Sequence, residues 1–175
     1  METDDVDKLA TYIRGKGCCR IGVDGTNGAG KSTFAAALAN ALGICHLNLD
    51  DFLVKKQGGF LTHLKYDEIK HKISDLDCFV IDGVCLLNVL EEIDTPVDCL
   101  VYVKRMCHGL WADEGDCEVS EEVEEYIKKE KETIRLIERS ETTPNTLGLV
   151  EEIIRYHDKY KPQQQTELFY TREDC

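Results

Sequence analysis

The sequence predicts a three-layer α/β fold, with a five-stranded parallel sheet covered by helices on both faces. Three observations carry that prediction. Apolar runs of strand length alternate along the chain with segments of helical period, the order that crossover units of a parallel sheet require. One run, Cys78 to Asp82 with its Phe79-Val80-Ile81, is almost wholly apolar, which fits a strand buried on both faces. No internal repeat, low-complexity tract or linker divides the 175 residues, so residues 1–175 read as one domain.

Taken in order, Val6 to Arg14 is expected to open the chain as a short helix, broken at Gly15-Lys16-Gly17. Cys18 to Asp24 is the first strand. Lys31 to Leu42 is an Ala-rich helix that Gly43 is placed to close. Ile44 to Leu49 is the second strand, and Tyr66 to Asp75 the next helix. Cys78 to Asp82 and Cys99 to Val103 are the third and fourth strands. Ser120 to Arg139 reads as a long charged helix, with Ser120 as its cap and Val123, Ile127, Ile134 and Ile137 on its inner face. A helix from Leu147 to Tyr160 stops before Pro162, and Leu168 to Tyr170 supplies a last short strand.

Charge narrows the partners. With 21 Lys+Arg against 34 Asp+Glu the formal net charge is −13. Such an exterior repels polyanions, so neither long nucleic acid nor an anionic membrane is an expected partner. A small anion held by a few aimed donors is not excluded. No apolar run approaches the roughly 20 residues of a membrane span. The acidic start Met1-Glu2-Thr3-Asp4-Asp5 lacks the apolar segment of a signal peptide, and a cytoplasmic location is expected. The nine cysteines form no C-x-x-C pair, and several sit inside apolar runs. They read as reduced, mostly buried thiols. No feature specifies an oligomeric state.

The chemistry starts at Gly25-Thr26-Asn27-Gly28-Ala29-Gly30-Lys31-Ser32, which fits G-x-x-x-x-G-K-[ST] without a mismatch. Glycines let the backbone wrap a phosphate with its N–H groups inward. Lys31 can reach the outer phosphates, and the Ser32 hydroxyl can ligate Mg²⁺. The helix that follows points its positive N-terminus at the same anion. The motif lies between an apolar strand and a helix, so a nucleoside triphosphate is the expected ligand. Asp82 ends a buried strand at the carboxyl edge of the sheet, where a metal-holding acid belongs; an Asp-Gly turn is the bland alternative. Asp50 and Asp51 end the second strand on the same edge. They supply either a base for an acceptor hydroxyl or a solvated turn. No [NT]-K-x-D element and no D-x-x-G after the third strand occur, which disfavours a GTPase.

Together these segments resemble the uridine kinase and nicotinamide riboside kinase group of P-loop kinases. Val23 to Thr33 looks like the group's first strand and P-loop, with Gly25 through Thr33 binding ATP. Leu49-Asp50-Asp51-Phe52 is similar to its D-[DS]-F segment, which implies Asp50 as catalytic base and metal-side ligand, with Asp51 and Phe52 toward the acceptor. Gly59-Phe60-Leu61 followed by Tyr66-Asp67 resembles the stretch that holds the substrate ribose, which implies Tyr66 and Asp67 as acceptor-binding residues. Ile81-Asp82-Gly83 matches a block after the third strand, and Tyr156 through Pro162 is similar to a Y-x-x-x-Y-x-P segment. The resemblance implies strand order 2-3-1-4-5 and a lid at about residues 104–120. That lid is arginine-rich in the group. Here Lys104 and Arg105 are followed by an acidic stretch containing Asp113, Glu114 and Asp116. The phosphoryl clamp is therefore expected from Arg105, or from Arg135 or Arg139 on the long helix. His108 reads as a loop residue, and Trp111 as either a stacking platform or a loop anchor.

The implied function is transfer of the ATP γ-phosphoryl group to a hydroxyl of a nucleoside-like, ribose-bearing small molecule. ATP and Mg²⁺ are the implied cofactors. Lys31, Asp50 and Arg105 would be catalytic, and Ser32, Asp50 and Asp82 would hold the metal. Two alternatives stand beside it: a nucleotide-binding regulatory module with a degenerate lid, and a kinase of a non-nucleoside metabolite such as pantothenate or a sugar.

Overall fold

The protein is described by a computed structural model at residues 1–54, 59–118, 122–137 and 147–174, with Asp116 described by its backbone alone. A two-residue strand, β1 (Glu2–Thr3), precedes helix α1 (Val6–Lys16). Asp5 caps that helix, its carboxylate accepting from Asp7 N at 3.0 Å and Lys8 N at 3.1 Å. Strand β2 (Arg20–Gly25) leads through the Gly-rich loop into α2 (Lys31–Leu42), which Gly43 closes as expected. Then follow β3 (Cys45–Asn48), a 3₁₀ turn at Leu49–Phe52, α3 (Tyr66–Ser74) and β4 (Phe79–Asp82).

The second half contains α4 (Leu86–Glu92), β5 (Cys99–Cys107), β6 (Leu110–Trp111), the single turn α5 (Glu114–Cys117) and α6 (Val123–Ile137). It ends with α7 (Leu149–Tyr160) and β7 (Leu168–Glu173).

The sheet has seven strands rather than the expected five, in the order β1-β7-β5-β2-β4-β3 with β6 on β5. Every pairing is parallel except β5–β6. The five anticipated strands form the run β3-β4-β2-β5-β7. The expected order 2-3-1-4-5 is corrected for the sheet as a whole, because β1 extends it beyond β7 and β6 folds back on β5. Two-residue strands have no measurable period, so no sequence pattern announces them. β6 exists because His108 and Gly109 both take positive φ (51° and 77°), the two-residue turn whose twist suits a hairpin. That turn also carries β5 four residues past its expected end at Val103.

Each face of the sheet buries its own core. On one, Leu9 and Ile13 of α1 and Phe34 and Leu38 of α2 pack on Ile21, Val23, Val80, Val101 and Val103. On the other, Ile69 and Ile73 of α3 and Leu86 and Val89 of α4 pack on Leu47, Phe79, Ile81 and Leu100. Burial of each such side chain contributes about 1.5–3 kcal/mol.

Some expectations for the periphery change. Ile127 is buried, but Ile137, expected on the inner face of the helix, is 75% exposed at the end of α6. The anticipated cap Ser120 and the cation Arg139 lie outside the described residues. Among the described residues Cys107 is disulfide-bonded, against the expectation of reduced thiols throughout. Among the described residues no helix is long and apolar enough to cross a membrane.

Candidate active site

Three parallel strands, β2, β4 and β3, bring their carboxyl ends to one edge of the sheet, and α2 starts there. The Gly-rich loop turns between β2 and α2, and backbone geometry explains its glycines. Gly25 has φ +150°, and a Cβ there would meet the Val103 carbonyl oxygen at 2.7 Å. Gly30 has φ +92°, and its Cβ would meet Arg172 Nη1 at 2.7 Å. Only glycine satisfies both conditions at once.

A cavity of about 270 Å³ opens on this edge, lined by Asn27, Gly28, Gly30, Lys31, Ser32, Thr33, Asp50, Asp82, Gly83 and Val84. The fold thus gathers most of the expected phosphate and metal residues in one place. Lys31 is buried, with Nζ donating to the carbonyls of Gly25 (3.1 Å) and Thr26 (2.8 Å). Burial lowers its pKa, while Asp24, Asp82 and Asp50 act in the opposite sense and favour the charged ammonium. Ser32 Oγ donates to Asp82 Oδ2 at 2.7 Å.

Asp50 is placed by local chemistry: Asn48 Oδ1 accepts the Asp50 N–H at 2.9 Å and caps the 3₁₀ turn. Burial and then the Asp82 charge raise the Asp50 pKa, with Lys31 opposing them. A carboxylate whose pKa is raised in this way is a better proton acceptor. Leu49 seats the turn directly on Gly83, where a Cβ would meet Leu49 Cδ1 at 2.6 Å. Gly83 is therefore a packing requirement beside the acid. The hard oxygens of Ser32 and Asp82, hydrogen-bonded beside a buried lysine at a helix N-terminus, form a donor set that suits Mg²⁺.

Other expected residues lie elsewhere. Gly25 and Thr26 serve Lys31 through their carbonyls, and Ala29 is a core residue. Asp51 and Asp67 are exposed, Phe52 packs against the second core, and Tyr66 donates to the Leu61 carbonyl at 2.9 Å. None of these four lines the cavity. Arg105 stands 4.0 Å from Asp174, and Arg135 donates to Glu132 at 2.9 Å on the same helix.

Within residues 104–118 three side chains anchor the segment to the rest of the fold. Lys104 lies over the rings of Trp111 (4.9 Å) and Phe169 (4.2 Å) and pairs with Glu2 at 3.0 Å. Trp111 also meets Tyr102 edge-on at 5.9 Å, which makes it an anchor of the hairpin. Asp113, 2% exposed, accepts the Thr26 hydroxyl and so ties this segment to the Gly-rich loop.

Five residues at or around the site were not singled out by any motif role. Asp24 is fully buried and accepts from the Gly25 amide at 2.7 Å and from the Tyr156 hydroxyl. Tyr156 also accepts the Leu87 amide at 3.2 Å, so α7 is bound to the strand that feeds the Gly-rich loop. That gives the first Tyr of the Y-x-x-x-Y-x-P segment a role. The second, Tyr160, donates to Glu91, and Pro162 begins a 3₁₀ turn. His46 contacts Asp82 at 2.6 Å. Arg172 of β7 lies over Gly30 and donates to Asp174 at 2.6 Å. Asp113 completes the set. Tyr156 had a sequence signal, and Asp113 was visible only as part of the acidic stretch; the contacts of all five depend on tertiary packing.

No protein-family model matches the chain. It is similar to the cytidylate kinase of Thermosipho melanesiensis, at 34% identity over 97 residues, a match covering 50% of this chain and 44% of that protein. The chain thus spans less than half the length of the curated relative it matches. The parallel sheet, the helices on both faces and the Gly-rich loop fit a P-loop nucleotide-binding fold.

Proposed function

We propose that this protein is a P-loop kinase that transfers the γ-phosphoryl group of ATP to a hydroxyl of a small, nucleoside-like acceptor. The observation that carries the reading is the convergence of Lys31, Ser32, Asp50 and Asp82 on one cavity at the N-terminus of α2. The similarity to a cytidylate kinase supports the same reaction class.

Each residue has a role that follows from its chemistry. The loop N–H groups and the α2 N-terminus bind the phosphates. Lys31, already held inward by two carbonyls, exchanges them for phosphate oxygens and neutralises charge on the transferring group. Ser32 and Asp82 would hold Mg²⁺, which when bound offsets the phosphate charge. Asp50, which lines the same cavity, orients the acceptor hydroxyl and takes its proton. Arg172 lies against Gly30, close enough to the phosphate loop to add positive charge there.

The acceptor should be uncharged at its reacting end. Lys31 is the one cation among the described residues that line the cavity, and two carboxylates face it. A second reading, with a nucleoside monophosphate as acceptor, draws support from the cytidylate kinase similarity. It would require further cations from outside the cavity lining.

An ADP-release screen with nucleosides, nicotinamide riboside, nucleoside monophosphates, pantothenate and sugars tests both. Turnover on a nucleoside, abolished in Lys31→Ala, is the expected result. Turnover on a monophosphate alone would select the second reading. A flat screen from a protein that demonstrably binds ATP would overturn both and favour a regulatory nucleotide-binding module. Asp50→Asn should bind ATP normally while losing about 10²–10⁴-fold in kcat, the usual contribution of a general base.

A further inference from the structure

We infer that His46 is the positioning residue of the metal-side acid: from β3 it anchors one oxygen of Asp82 so that the other faces the cation. The inference rests on the reading that Ser32 and Asp82 hold the metal of a metal–nucleotide complex. Its own evidence is geometric. The Asp82 side chain is 1% exposed, and a buried carboxylate needs donors at its oxygens. It has two in this structure, one for each oxygen: Ser32 Oγ at Oδ2 (2.7 Å) and His46 Nε2 at Oδ1 (2.6 Å).

The two donors differ in kind. The Ser32 hydroxyl can rotate away toward a cation and serve as a ligand itself. The imidazole cannot be a hard-oxygen ligand, and its backbone is held in β3 of the sheet. Asn48 of β3 is the register partner of Asp82, so His46, two residues earlier, lies on the same face and reaches along the strands to the carboxylate. Facing an acceptor, Nε2 is the nitrogen that carries the proton. Rotation of the carboxylate would break this bond. Oδ1 therefore stays with His46, while Oδ2 remains directed at Ser32 and the start of α2. Partners of this outer type typically account for 10–100-fold in metal affinity.

The test uses the full chain, with Mn²⁺ as the probe, titrated into the protein–ADP complex and read by electron paramagnetic resonance. ADP affinity is measured separately in EDTA. His46→Ala should weaken Mn²⁺ binding by about 10–100-fold while metal-free ADP affinity changes by less than about twofold. His46→Gln, which places an N–H near the former Nε2, should recover most of the loss. Three outcomes would overturn the inference: unchanged Mn²⁺ affinity in His46→Ala, a parallel fall in metal-free ADP affinity, or no advantage of Gln over Ala. A wild-type protein that binds neither ADP nor Mn²⁺ would instead overturn the nucleotide-site reading, and this inference with it.

Discussion

Asp24 is the residue on which the site's local stability turns. Burial raises its pKa, while the Tyr156 hydroxyl, the Gly25 amide and the Lys31 charge act to keep it ionised. The carboxylate is thus satisfied by one hydroxyl from a helix 132 residues away and one adjacent amide. Tyr156→Phe removes that hydroxyl and leaves both an Asp24 oxygen and the Leu87 amide without it. The expected cost is about 1–3 kcal/mol, from the desolvation of buried polar groups left unpaired. Urea unfolding would measure it, with Tyr160→Phe, whose ring is only partly buried, as the milder comparison. At this scale the sequence was readable where a motif fixes residue type and spacing, as at Lys31 and Ser32. It was silent at Asp24 and His46, because a lone acid or histidine in a strand acquires a partner only through register.

Among the elements, α6 and α7 are joined by charge. Glu151 of α7 takes Lys131 of α6 at 3.1 Å and Arg155 at 3.0 Å, and Arg155 also reaches Glu124 at 2.6 Å. Burial pushes the Glu151 carboxyl up, but the Arg155 and Lys131 hydrogen bonds and the Leu147 amide bring it down to about 2. A folded-state pKa below the ordinary 4.5 means that this group stabilises the fold above pH 4.5 and loses that contribution as pH falls toward about 2. Glu151→Gln should lower stability at neutral pH and flatten the decline between those pH values, as denaturant midpoints measured across acid pH would show. Long, periodic elements such as α2 were legible to the residue. α4 has seven residues, and α5 is a single turn of four, preceded by Asp113, which binds Thr26 of the Gly-rich loop. Neither is long enough to show a helical period.

For the molecule as a whole, a ligand that binds only the folded state raises stability by mass action. With Mg·ATP at 100 times its Kd the gain is about 2.7 kcal/mol. In a chain of 175 residues that corresponds to a rise in Tm of about 5–11 °C, which calorimetry should detect in the wild type and not in Lys31→Ala. The net charge of −13 does not oppose this, because backbone N–H groups, Lys31 and a helix N-terminus act at short range inside a cavity. What the sequence alone determined was the alternation of strands and helices, the Gly-rich loop and the acids at strand ends, since each is written in local spacing. What only the tertiary structure decided was the two added strands, the burial of Asp113 against Thr26, the Asp24–Tyr156 bond and the His46–Asp82 contact. Those depend on which distant segments the sheet brings into register, and pairing across the chain leaves no periodic trace in its residues.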